Sequence, residues 1–345
     1  MIAALDATPL TVPTGGVTRY TRELARALAE EYPDDQYWLL SDQPFAMPVP
    51  VLTNLHKGDG PRTAAERRWW LWGLEREMIH RGVEVFHGTD FSVPYLSRRP
   101  SVMTLHDLSP WLMKEASPRV RRRVPVLLRA RIPTMVITPS EAVRRAAIAR
   151  FKLDGERVRA VPEAAANHFR PVDVAMPDRP YFLFVGALEQ RKNIARLVEA
   201  WREVRKSQEI DLVLAGRARD GFPVPEAENG LRILGAVPEQ DLPALYSGAI
   251  AFVYPSLYEG FGLPVLEAMQ CGTTVITSRD PAIMEVSGGA AVHIDATDVR
   301  ALAEAMGARP ARREESLKRA RQFSWSMTAQ KTREVYDAAR RLYHR

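Results

Sequence analysis

A glycine-rich loop flanked by two glutamates is the part of the chain best suited to chemistry, and residues 258–269 read YEGFGLPVLEAM. Glu259 and Glu267 stand eight positions apart on either side of a Gly-Phe-Gly turn. Paired carboxylates can act as general acid and general base, and hydrolases place such a pair across the bond that they cleave. The same spacing suits a site in which both carboxylates bind hydroxyl groups beside an anion. The elements around the loop decide between these two kinds of site.

The loop is predicted to join a strand to a helix. The apolar run AIAFVYP at 249–255 predicts a buried strand, and Pro264 suits the first turn of a helix, where its missing N–H group costs nothing. A helix N-terminus presents free N–H groups and a partial positive charge, and preceding glycines let an anion approach closely. We therefore interpret the loop as a phosphate or diphosphate site, with Glu267 placed to bind a ribose and Glu259 at its mouth. The helix dipole alone would also favour a glutamate at position 267.

The composition is that of a globular protein with two domains. A length of 345 residues exceeds one typical domain, and 46% of the residues are hydrophobic. The apolar runs are strand-sized and too short to span a bilayer, and the first residues, MIAALDATPL, lack the basic segment of a signal peptide. The single cysteine, Cys271, excludes an intramolecular disulfide and favours the reducing cytoplasm. No Cys/His pattern predicts a metal site, so we expect neither a metal nor a cofactor.

The net charge of +6 is unevenly distributed along the chain. Residues 98–152 contain thirteen Lys or Arg residues against three acidic ones, and 119–131 alone hold six arginines. A run of charge most often forms a solvated helix face. The alternative is a surface for anionic lipid headgroups or an anionic acceptor, which predicts peripheral contact with the inner face of a membrane. Nucleic acid is not expected as a partner, because aromatic residues are not interleaved with these cations.

Short apolar runs alternate with amphipathic stretches along the chain, which predicts parallel sheets covered by helices. We expect two doubly wound, Rossmann-like α/β domains that face each other across a cleft, an N-terminal domain at 1–168 and a C-terminal domain at 169–327. In such sheets ligands bind beyond the carboxyl ends of the strands, near the point where strand order reverses. The predicted strands are 2–8, 36–41, 48–53, 83–89, 101–107, 134–140 and 157–164 in the first domain, and 180–188, 210–218, 231–237, 249–255, 273–278 and 290–295 in the second.

Several segments resemble those of retaining glycosyltransferases of the GT-B architecture, specifically the family-4 type or group 1. The Glu-x7-Glu stretch matches their pattern, and VGALEQRKN at 185–193 resembles their glycine loop with its basic residues. Further similar segments are TGGVTRY (14–20), LHD (105–107), LGAVPEQDLPALYSGA (234–249), CGTTVITS (271–278) and FSWSMTAQ (323–330). The resemblance implies metal-independent transfer of a sugar from a nucleotide-diphosphate donor with retained anomeric configuration. It also implies that a terminal helix at 328–345 crosses back to the N-terminal domain.

The resemblance places the donor in the C-terminal domain. Arg191 and Lys192 match the basic pair that neutralises the diphosphate, because a metal-free enzyme must stabilise the departing negative charge in another way. Glu259 matches a carboxylate beside the donor sugar, and Glu267 matches one that binds the ribose. The two glutamates are therefore predicted to hold ligands and not to form an acid/base couple. The remaining donor-binding candidates are Gly16, Gly186, Val237, Gly260, Phe261, Gly262 and Leu263.

One departure from the family pattern concerns a cation. Many relatives carry an arginine directly after the glycine of the 185–193 loop, where this chain has Ala187. Either Arg191 and Lys192 carry the charge alone, or Arg217 supplies the second cation. Val237 lies at the position of the nucleobase pocket, although a core residue at a strand end explains it equally well.

In the N-terminal domain the resemblance points to two loops. Gly15 and Gly16 open the first helix beside the donor phosphate and the acceptor, and Asp107 is also assigned to the acceptor side. His106 ends the predicted strand SVMTLHD at the ligand-binding edge of the sheet, and the family places a histidine there against the donor sugar. The catalytic candidates are therefore His106, Glu259, Arg191 and Lys192.

Two other features of the N-terminal half carry alternative interpretations. His87 ends the predicted strand VEVFHGT and is a weaker histidine candidate of the same kind. The cluster of Trp69, Trp70 and Trp72 could stack on a sugar or enter a membrane, but its helical setting favours packing in the core.

The sequence leaves the mechanism and the substrates open. Retention by double displacement needs a carboxylate nucleophile beside the anomeric carbon, and no candidate is evident, so we favour front-face substitution in which the departing phosphate helps to deprotonate the acceptor. A nucleotide-sugar epimerase of the same architecture and a non-catalytic nucleotide or anion binder are the alternative classes. We expect a hexosyltransferase, with GDP-mannose favoured over a UDP-sugar. A glycan, a lipid-linked saccharide or a small molecule is the acceptor.

Overall fold

The computed structural model describes residues 1–12, 15–47, 52–113, 118–175, 177–226 and 228–343. The strands are β1 Ile2–Asp6, β2 Gln36–Leu40, β3 Leu55–Lys57, β4 Val85–Gly88, β5 Ser101–Thr104, β6 Met135–Thr138, β7 Val158–Ala160, β8 Tyr181–Val185, β9 Asp211–Ala215, β10 Leu231–Gly235, β11 Ala251–Tyr254, β12 Val275–Ser278 and β13 Val292–Ile294. The helices are α1 Gly16–Glu31, α2 Leu74–His80, α3 Ser109–Leu112, α4 Pro118–Arg129, α5 Glu141–Phe151, α6 Ile194–Arg205, α7 Leu242–Gly248, α8 Leu263–Gln270, α9 Pro281–Ser287, α10 Val299–Gly307, α11 Arg313–Ala320 and α12 Trp325–Tyr343. Among the helices described here, none combines the length and the apolar character needed to cross a membrane.

These elements form two compact units. Unit 1 comprises Met1–Glu163 and Ser324–Arg345, and unit 2 comprises Ala164–Phe323. Within the described ranges, unit 1 holds a seven-stranded sheet in the order β3-β2-β1-β4-β5-β6-β7, and unit 2 holds a six-stranded sheet in the order β10-β9-β8-β11-β12-β13. Every pair of neighbouring strands is parallel. The prediction of two doubly wound α/β domains is confirmed, and the unit limits lie a few residues from the predicted boundaries after 168 and 327.

The sheet of unit 2 is apolar because helices cover both of its faces. The strands β8, β11 and β12 are buried along their whole length, as parallel strands in doubly wound folds are expected to be. Helix α6 presents its buried residues to this core at helical spacing, among them Leu197, Trp201 and Val204. Trp201 is fully buried, and its Nε1 donates a hydrogen bond of 3.0 Å to the carbonyl of Ile210, so its polar atom is satisfied inside the core.

Side chains at the first turns fix where helices begin. The Ser140 hydroxyl accepts a hydrogen bond of 3.2 Å from the amide of Val143 and caps α5. The Asp280 carboxylate accepts from the amides of Ala282 and Ile283, at 2.9 and 3.1 Å, and caps α9. These caps set the start of each helix directly after the carboxyl end of a strand, where ligands bind in this class of sheet.

Two predictions in unit 1 differ from the structure. The predicted strand at 48–53 lies largely outside the described residues, and the strand that pairs with β2 is β3 at Leu55–Lys57. The helical setting predicted for the tryptophan cluster begins as one π-helical turn at Trp69–Gly73, directly before α2. A side chain at Gly73 would come within 2.3 Å of the Glu66 carbonyl, so the widened turn depends on glycine. Trp69 packs in the core as expected, whereas Trp72 is 56% exposed.

The terminal helix α12 belongs to unit 1 and packs against α1. Its buried residues follow a helical stripe: Trp325, Thr328, Ala329, Thr332, Val335, Tyr336 and Ala339. Along the exposed edge of this stripe, the Arg333 guanidinium lies 2.7 Å from the carboxylate of Asp35, which also binds the N-terminal ammonium at 2.6 Å. Residues far apart in sequence therefore hold this helix on the sheet.

A chain of buried polar groups runs through unit 1 beneath α12. The Tyr336 hydroxyl lies 2.8 Å from His87 Nδ1, and His87 Nε2 lies 2.7 Å from the Thr104 hydroxyl. Thr104 in turn lies 3.1 Å from the Tyr20 hydroxyl on α1. Burial, with a smaller contribution from the charge of His106, lowers the pKa of His87 to about 3, so this ring stays neutral. His87, a weaker catalytic candidate in the sequence, therefore joins four elements of the core.

Tyr336→Phe is expected to destabilise unit 1 by about 1–3 kcal/mol, because it leaves a buried nitrogen of His87 without a hydrogen-bond partner. The matched control is Tyr343→Phe, which removes an exposed hydroxyl at the end of the same helix. The control is expected to change stability by less than about 0.5 kcal/mol. Thermal unfolding of the two variants measures the difference, and equal melting temperatures would show that the buried hydroxyl does not stabilise the unit.

Candidate functional site

The predicted anion site of unit 2 lies where three loops leave neighbouring strands. β8 stands between β9 and β11, and the order of the sheet reverses between β8 and β11. The loops at 186–193, 216–219 and 255–262 follow β8, β9 and β11. Because all three strands are parallel, their carboxyl ends meet at one edge of the sheet, and the three loops lie side by side at the reversal point.

Two of these loops are joined through the backbone of Arg191. Its carbonyl accepts a hydrogen bond of 2.8 Å from the Leu257 amide and one of 3.2 Å from the Ser256 hydroxyl. Asn193 adds a side-chain bond of 3.2 Å to the Pro255 carbonyl. These hydrogen bonds hold the loop that carries Glu259 on the loop that carries the basic pair, independently of the ion pairs.

The side chains of the two loops form a buried ion cluster around Glu259. Its Oε1 lies 2.5 Å from Lys192 Nζ and accepts a bond of 2.5 Å from the Ser256 hydroxyl, and its Oε2 lies 2.8 Å from Arg191 Nη1. Lys192 also donates to the Tyr254 hydroxyl and lies 4.8 Å from the centre of that ring. Glu259 and Lys192 are 7% and 6% exposed. The catalytic candidates Glu259, Arg191 and Lys192 are thus in direct contact.

The cluster keeps Glu259 ionised. Burial by itself would raise the pKa of this carboxyl, but the charges of Lys192 and Arg191 outweigh burial and lower the pKa to about 2. In the same way burial would lower the pKa of Arg191, and the Glu259 charge raises it. At neutral pH Glu259 can therefore accept hydrogen bonds but cannot donate a proton.

A second carboxylate extends the cluster. Glu189 is buried at 3% exposure, and its Oε1 lies 2.9 Å from Arg191 Nε. Its Oε2 lies 2.8 Å from Arg219 Nε, which comes from the loop after β9. The five ion-paired side chains contain three cations and two carboxylates, so the cluster carries an excess of positive charge, as a site for an anion requires.

The predicted alternative cation, Arg217, does not join this cluster. It is exposed, and within the described residues its guanidinium makes no hydrogen bond or ion pair. Its carbonyl accepts a bond of 2.9 Å from Leu188, which joins the loops after β8 and β9. Arg219, which the sequence reasoning did not select, is the cation that reaches the cluster.

The loops after β8 and β9 approach so closely that only glycine fits. A Cβ atom at Gly216 would lie 1.8 Å from the carbonyl oxygen of Gly186, and both residues have positive φ, at +153° and +149°. The predicted donor-binding residue Gly186 therefore lies at a contact between two backbones, beside the ion cluster.

The N-terminus of α8 offers backbone N–H groups to a ligand. Gly262 caps the helix with φ at +103°, and Pro264 stands in the first turn as predicted. The amides of Phe261, Gly262 and Leu263 donate to no group among the residues that the structure describes. The Phe261 ring points away into the core, where its centre lies 6.0 Å from that of Phe323. Together with Gly260 this turn stays a candidate phosphate loop.

Asp280 holds the same loop from the other side. Its Oδ2 accepts a bond of 3.3 Å from the Glu259 amide, while its Oδ1 caps α9. Burial raises the pKa of Asp280. This side chain therefore fixes the backbone at Glu259 independently of the ion cluster.

Glu267 lies deeper than the sequence suggested. It falls in the second turn of α8, is 1% exposed, and its Oε2 accepts a bond of 3.0 Å from the Tyr246 hydroxyl on α7. Val237, the predicted nucleobase residue, is half-buried and packs against the core of unit 2. Both assignments to the nucleoside stay predictions.

The candidates of unit 1 gather at the carboxyl end of its sheet. Gly15 and Gly16 begin α1, and the Asp107 carboxylate accepts from the amide and hydroxyl of Ser109, at 2.8 and 2.6 Å. His106 Nε2 lies 2.7 Å from the Thr89 carbonyl. These residues stay candidates, and Thr14 of the TGGVTRY segment lies outside the described residues.

Six residues that contact the candidates, directly or through one partner, were not selected from the sequence. They are Glu163, Glu189, Arg219, Tyr254, Ser256 and Asp280. Asp280 alone has a local cue, a helix start signal before Pro281, and the others are recognised only by contacts across the sheet. Among the described residues, no group of three or more His, Cys, Asp or Glu side chains is arranged to hold a metal ion.

Glu259→Gln is expected to destabilise unit 2 by about 3–5 kcal/mol at pH 7, because Lys192 and Arg191 lose their buried counter-charge. The matched control is Glu304→Gln, which breaks a surface pair with Arg300 and is expected to cost at most about 1 kcal/mol. Urea-induced unfolding followed by circular dichroism measures both losses. Equal losses would contradict the structure.

The difference between wild type and Glu259→Gln should also depend on pH. A carboxyl whose pKa is lower in the folded chain stabilises the fold above its unfolded pKa. With a pKa of about 2 against an ordinary value of 4.5, this stabilisation is present at neutral pH and is lost as pH falls from about 4.5 to about 2. Unfolding midpoints that differ equally at pH 7 and pH 3 would exclude the ion cluster as the cause.

Two family models match adjoining parts of the chain. "Glycosyltransferase Family 4" matches residues 14–166, and "Glycosyl transferases group 1" matches residues 167–308. The O-antigen chain mannosyltransferase B of Escherichia coli is 29% identical over an alignment that covers 95% of this chain and 97% of that protein.

Solved structures share the fold. The sucrose-phosphate synthase of Thermosynechococcus elongatus superposes with a TM-score of 0.73 at 21% identity, over 98% of both chains. The Anabaena protein HepE, in complex with UDP and glucose, superposes with a TM-score of 0.69 at 18% identity, over 96% of this chain and 98% of that one. These structures confirm the predicted GT-B fold class. Because the two family models together span residues 14–308, the chain belongs to the family-4 type of the group 1 glycosyltransferases.

Proposed function

We propose that the enzyme transfers a hexose from a nucleotide-diphosphate donor to an acceptor, with retained anomeric configuration and without a metal ion. The observation that carries this proposal is the buried cluster of Arg191, Lys192 and Glu259 beside the free amides at the start of α8. The cations and amides supply the charge and the hydrogen-bond donors that a departing nucleoside diphosphate needs.

The diphosphate would enter the cluster by sharing its cations. Lys192 and Arg191 are already desolvated by their contacts with Glu259, so binding an anion does not have to remove two hydrated charges from water. The amides of Phe261, Gly262 and Leu263 would add neutral donors to the phosphate oxygens. The site is therefore organised for negative charge before the donor arrives.

The state of Glu259 bears on the mechanism. Both of its oxygens face cations, at 2.5 Å for Lys192 and 2.8 Å for Arg191, so an electron pair on each oxygen is engaged in an ion pair while Oε2 keeps a second pair to accept a hydrogen bond. A carboxylate held in this way is a poor nucleophile but a good acceptor for a sugar hydroxyl. We therefore assign Glu259 to hold the donor sugar. This assignment favours front-face substitution, in which the leaving phosphate takes the proton of the acceptor.

Mannose is the sugar we propose, with GDP-mannose as the donor. The support is the name of the full-length E. coli relative, a mannosyltransferase, at 29% identity. The complex of HepE with UDP and glucose supports a nucleotide-bound sugar but comes from a protein of 18% identity. In this proposal Glu267, held by Tyr246, accepts hydrogen bonds from the ribose.

One nucleoside diphosphate is expected to raise the melting temperature when UDP, GDP, ADP and dTDP are compared in the presence of EDTA. A ligand at 100 times its Kd stabilises the native state by about 2.7 kcal/mol. Lys192→Gln should abolish the shift, and Glu267→Gln should reduce it, whereas Lys206→Gln at an exposed position serves as the control. A shift that requires a divalent ion would contradict metal independence.

Turnover then separates the classes of protein. With the matching nucleotide sugar, a transferase releases some free sugar or glycosylates an acceptor, and NMR spectroscopy of the product gives its anomeric configuration. An isomerised nucleotide sugar would instead identify an epimerase. Absence of both a shift and turnover with every nucleotide would leave the non-catalytic binder as the better interpretation.

We further propose that the acceptor is presented at an anionic membrane surface, to which the enzyme binds from the cytoplasm through α4. Three arginines on or beside its exposed face are Arg119, Arg121 and Arg122, and Val126 is 64% exposed next to them. The opposite side of the helix buries Val124, Leu127 and Leu128 in unit 1. The helix thus presents cations and one apolar side chain outward, a combination suited to lipid headgroups.

Replacing Arg119, Arg121 and Arg122 by Glu is expected to weaken binding to vesicles containing anionic phospholipid by at least about tenfold, because each basic residue near such a surface contributes about 1 kcal/mol. Co-sedimentation at low and high salt measures the binding. Replacing Arg202, Lys206 and Arg300 of unit 2 by Glu gives a control of equal charge. Binding that persists in the α4 variant, or that does not respond to salt, would remove this proposal.

A further inference from the structure

Both nitrogens of the His106 ring face oxygen atoms that can only accept hydrogen bonds. Nε2 lies 2.7 Å from the carbonyl oxygen of Thr89, and Nδ1 lies 3.4 Å from Oε1 of Glu163. A neutral imidazole carries one N–H group, so it could satisfy only one of these contacts. An imidazolium suits both contacts, because it donates to the Thr89 carbonyl through Nε2 and pairs as a cation with the Glu163 carboxylate.

The other groups around the ring are consistent with this state. Asp90 faces the ring as a second acidic group, and Asp107 is the residue directly after His106. His87 lies behind it as a neutral ring. Tyr20 packs edge-on at 4.8 Å between ring centres, and Phe91 packs at 6.2 Å. Burial would lower the pKa of His106, but Glu163 and Asp90 outweigh burial and raise it.

The carboxylate of Glu163 is placed by the backbone before it. The Val161 amide donates a bond of 2.8 Å to the Thr138 carbonyl at the end of β6. The Pro162 carbonyl accepts a bond of 2.7 Å from the Thr328 hydroxyl on α12. Glu163 itself is 5% exposed. The backbone that leads into Glu163 is therefore held from two directions.

We propose that Glu163 is a positioning residue that favours the imidazolium form of His106, with the ring fixed between Glu163 and the Thr89 carbonyl. His106 then supplies a stationary positive charge and does not act as a general base, because it has no free lone pair to accept a proton. The catalytic consequence rests on the proposed function and on the placement of His106 against the donor sugar that the family resemblance implies. The protonation state itself rests only on the contacts within unit 1.

The first measurement is an NMR titration of the histidine rings in the full chain, with His106→Asn used to assign the signal. In wild type the His106 pKa is expected above the ordinary value of 6.5. Glu163→Gln removes the charge at nearly constant shape and should lower the pKa by about one unit or more. Glu163→Asp keeps the charge and should retain part of the increase. Glu156→Gln, at an 88% exposed carboxylate of the same unit, should change nothing.

A wild-type His106 that titrates at or below 6.5 would overturn the proposal, as would a pKa that Glu163→Gln leaves unchanged. The wild-type titration alone is decisive if the Glu163 variants do not fold. The measurement needs no turnover, so it remains valid even if no nucleotide sugar is a substrate. Failure of the proposed function and failure of this pair are therefore seen in different experiments.

The second measurement is the pH profile of kcat/KM for transfer from the identified donor. Activity is expected to fall as pH rises through the His106 pKa found by NMR, and Glu163→Gln should move this fall to lower pH by the same interval. A general base would give the opposite result, with activity that rises through that pKa. A profile that rises, or that Glu163→Gln does not move, would contradict the assigned role of His106.

Discussion

The ion pair between Lys192 and Glu259 is the interaction on which the rest of the site depends. It joins the loop after β8 to the loop after β11. Glu259 also pairs with Arg191, so two cations are held at the carboxyl edge of the sheet. A buried charge without a partner is costly, so neither loop can move away while the other stays in place. The carboxylate therefore has two functions, because it stabilises the fold of unit 2 and keeps the cations in position for an anion.

The surrounding sequence can be understood as support for that pair. The Leu257 amide and the Ser256 hydroxyl both donate to the Arg191 carbonyl and bring the loops together, and Asp280 holds the amide of Glu259. Glu189 binds Arg191 and reaches Arg219, which brings a third cation to the cluster. The third cation of the site thus comes from the loop after β9 and is linked through a second carboxylate.

Much of this arrangement could be predicted from the sequence, because apolar runs and glycine-proline signals mark local structure. The strand, loop and helix at 249–270, the two doubly wound sheets and the cap at Ser140 all follow from such local patterns. The partners of charged side chains do not. Lys192 and Glu259 are 67 positions apart and meet because β8 and β11 are neighbours. Arg219 rather than Arg217 reaches the cluster because the irregular loop after β9 sets the direction of each side chain, and no periodicity reveals it.

The position of α12 has a consequence for synthesis of the protein. His87 and Tyr336 are 249 residues apart, and all of unit 2 lies between them in the chain. Because translation proceeds from the N-terminus, the sheet of unit 1 leaves the ribosome long before α12, the helix that covers its buried hydrogen-bonded side chains. Unit 2 is continuous and can complete its core first. The first unit to be synthesised is therefore the last to be finished, and its uncovered sheet is the surface that needs protection from aggregation during that interval.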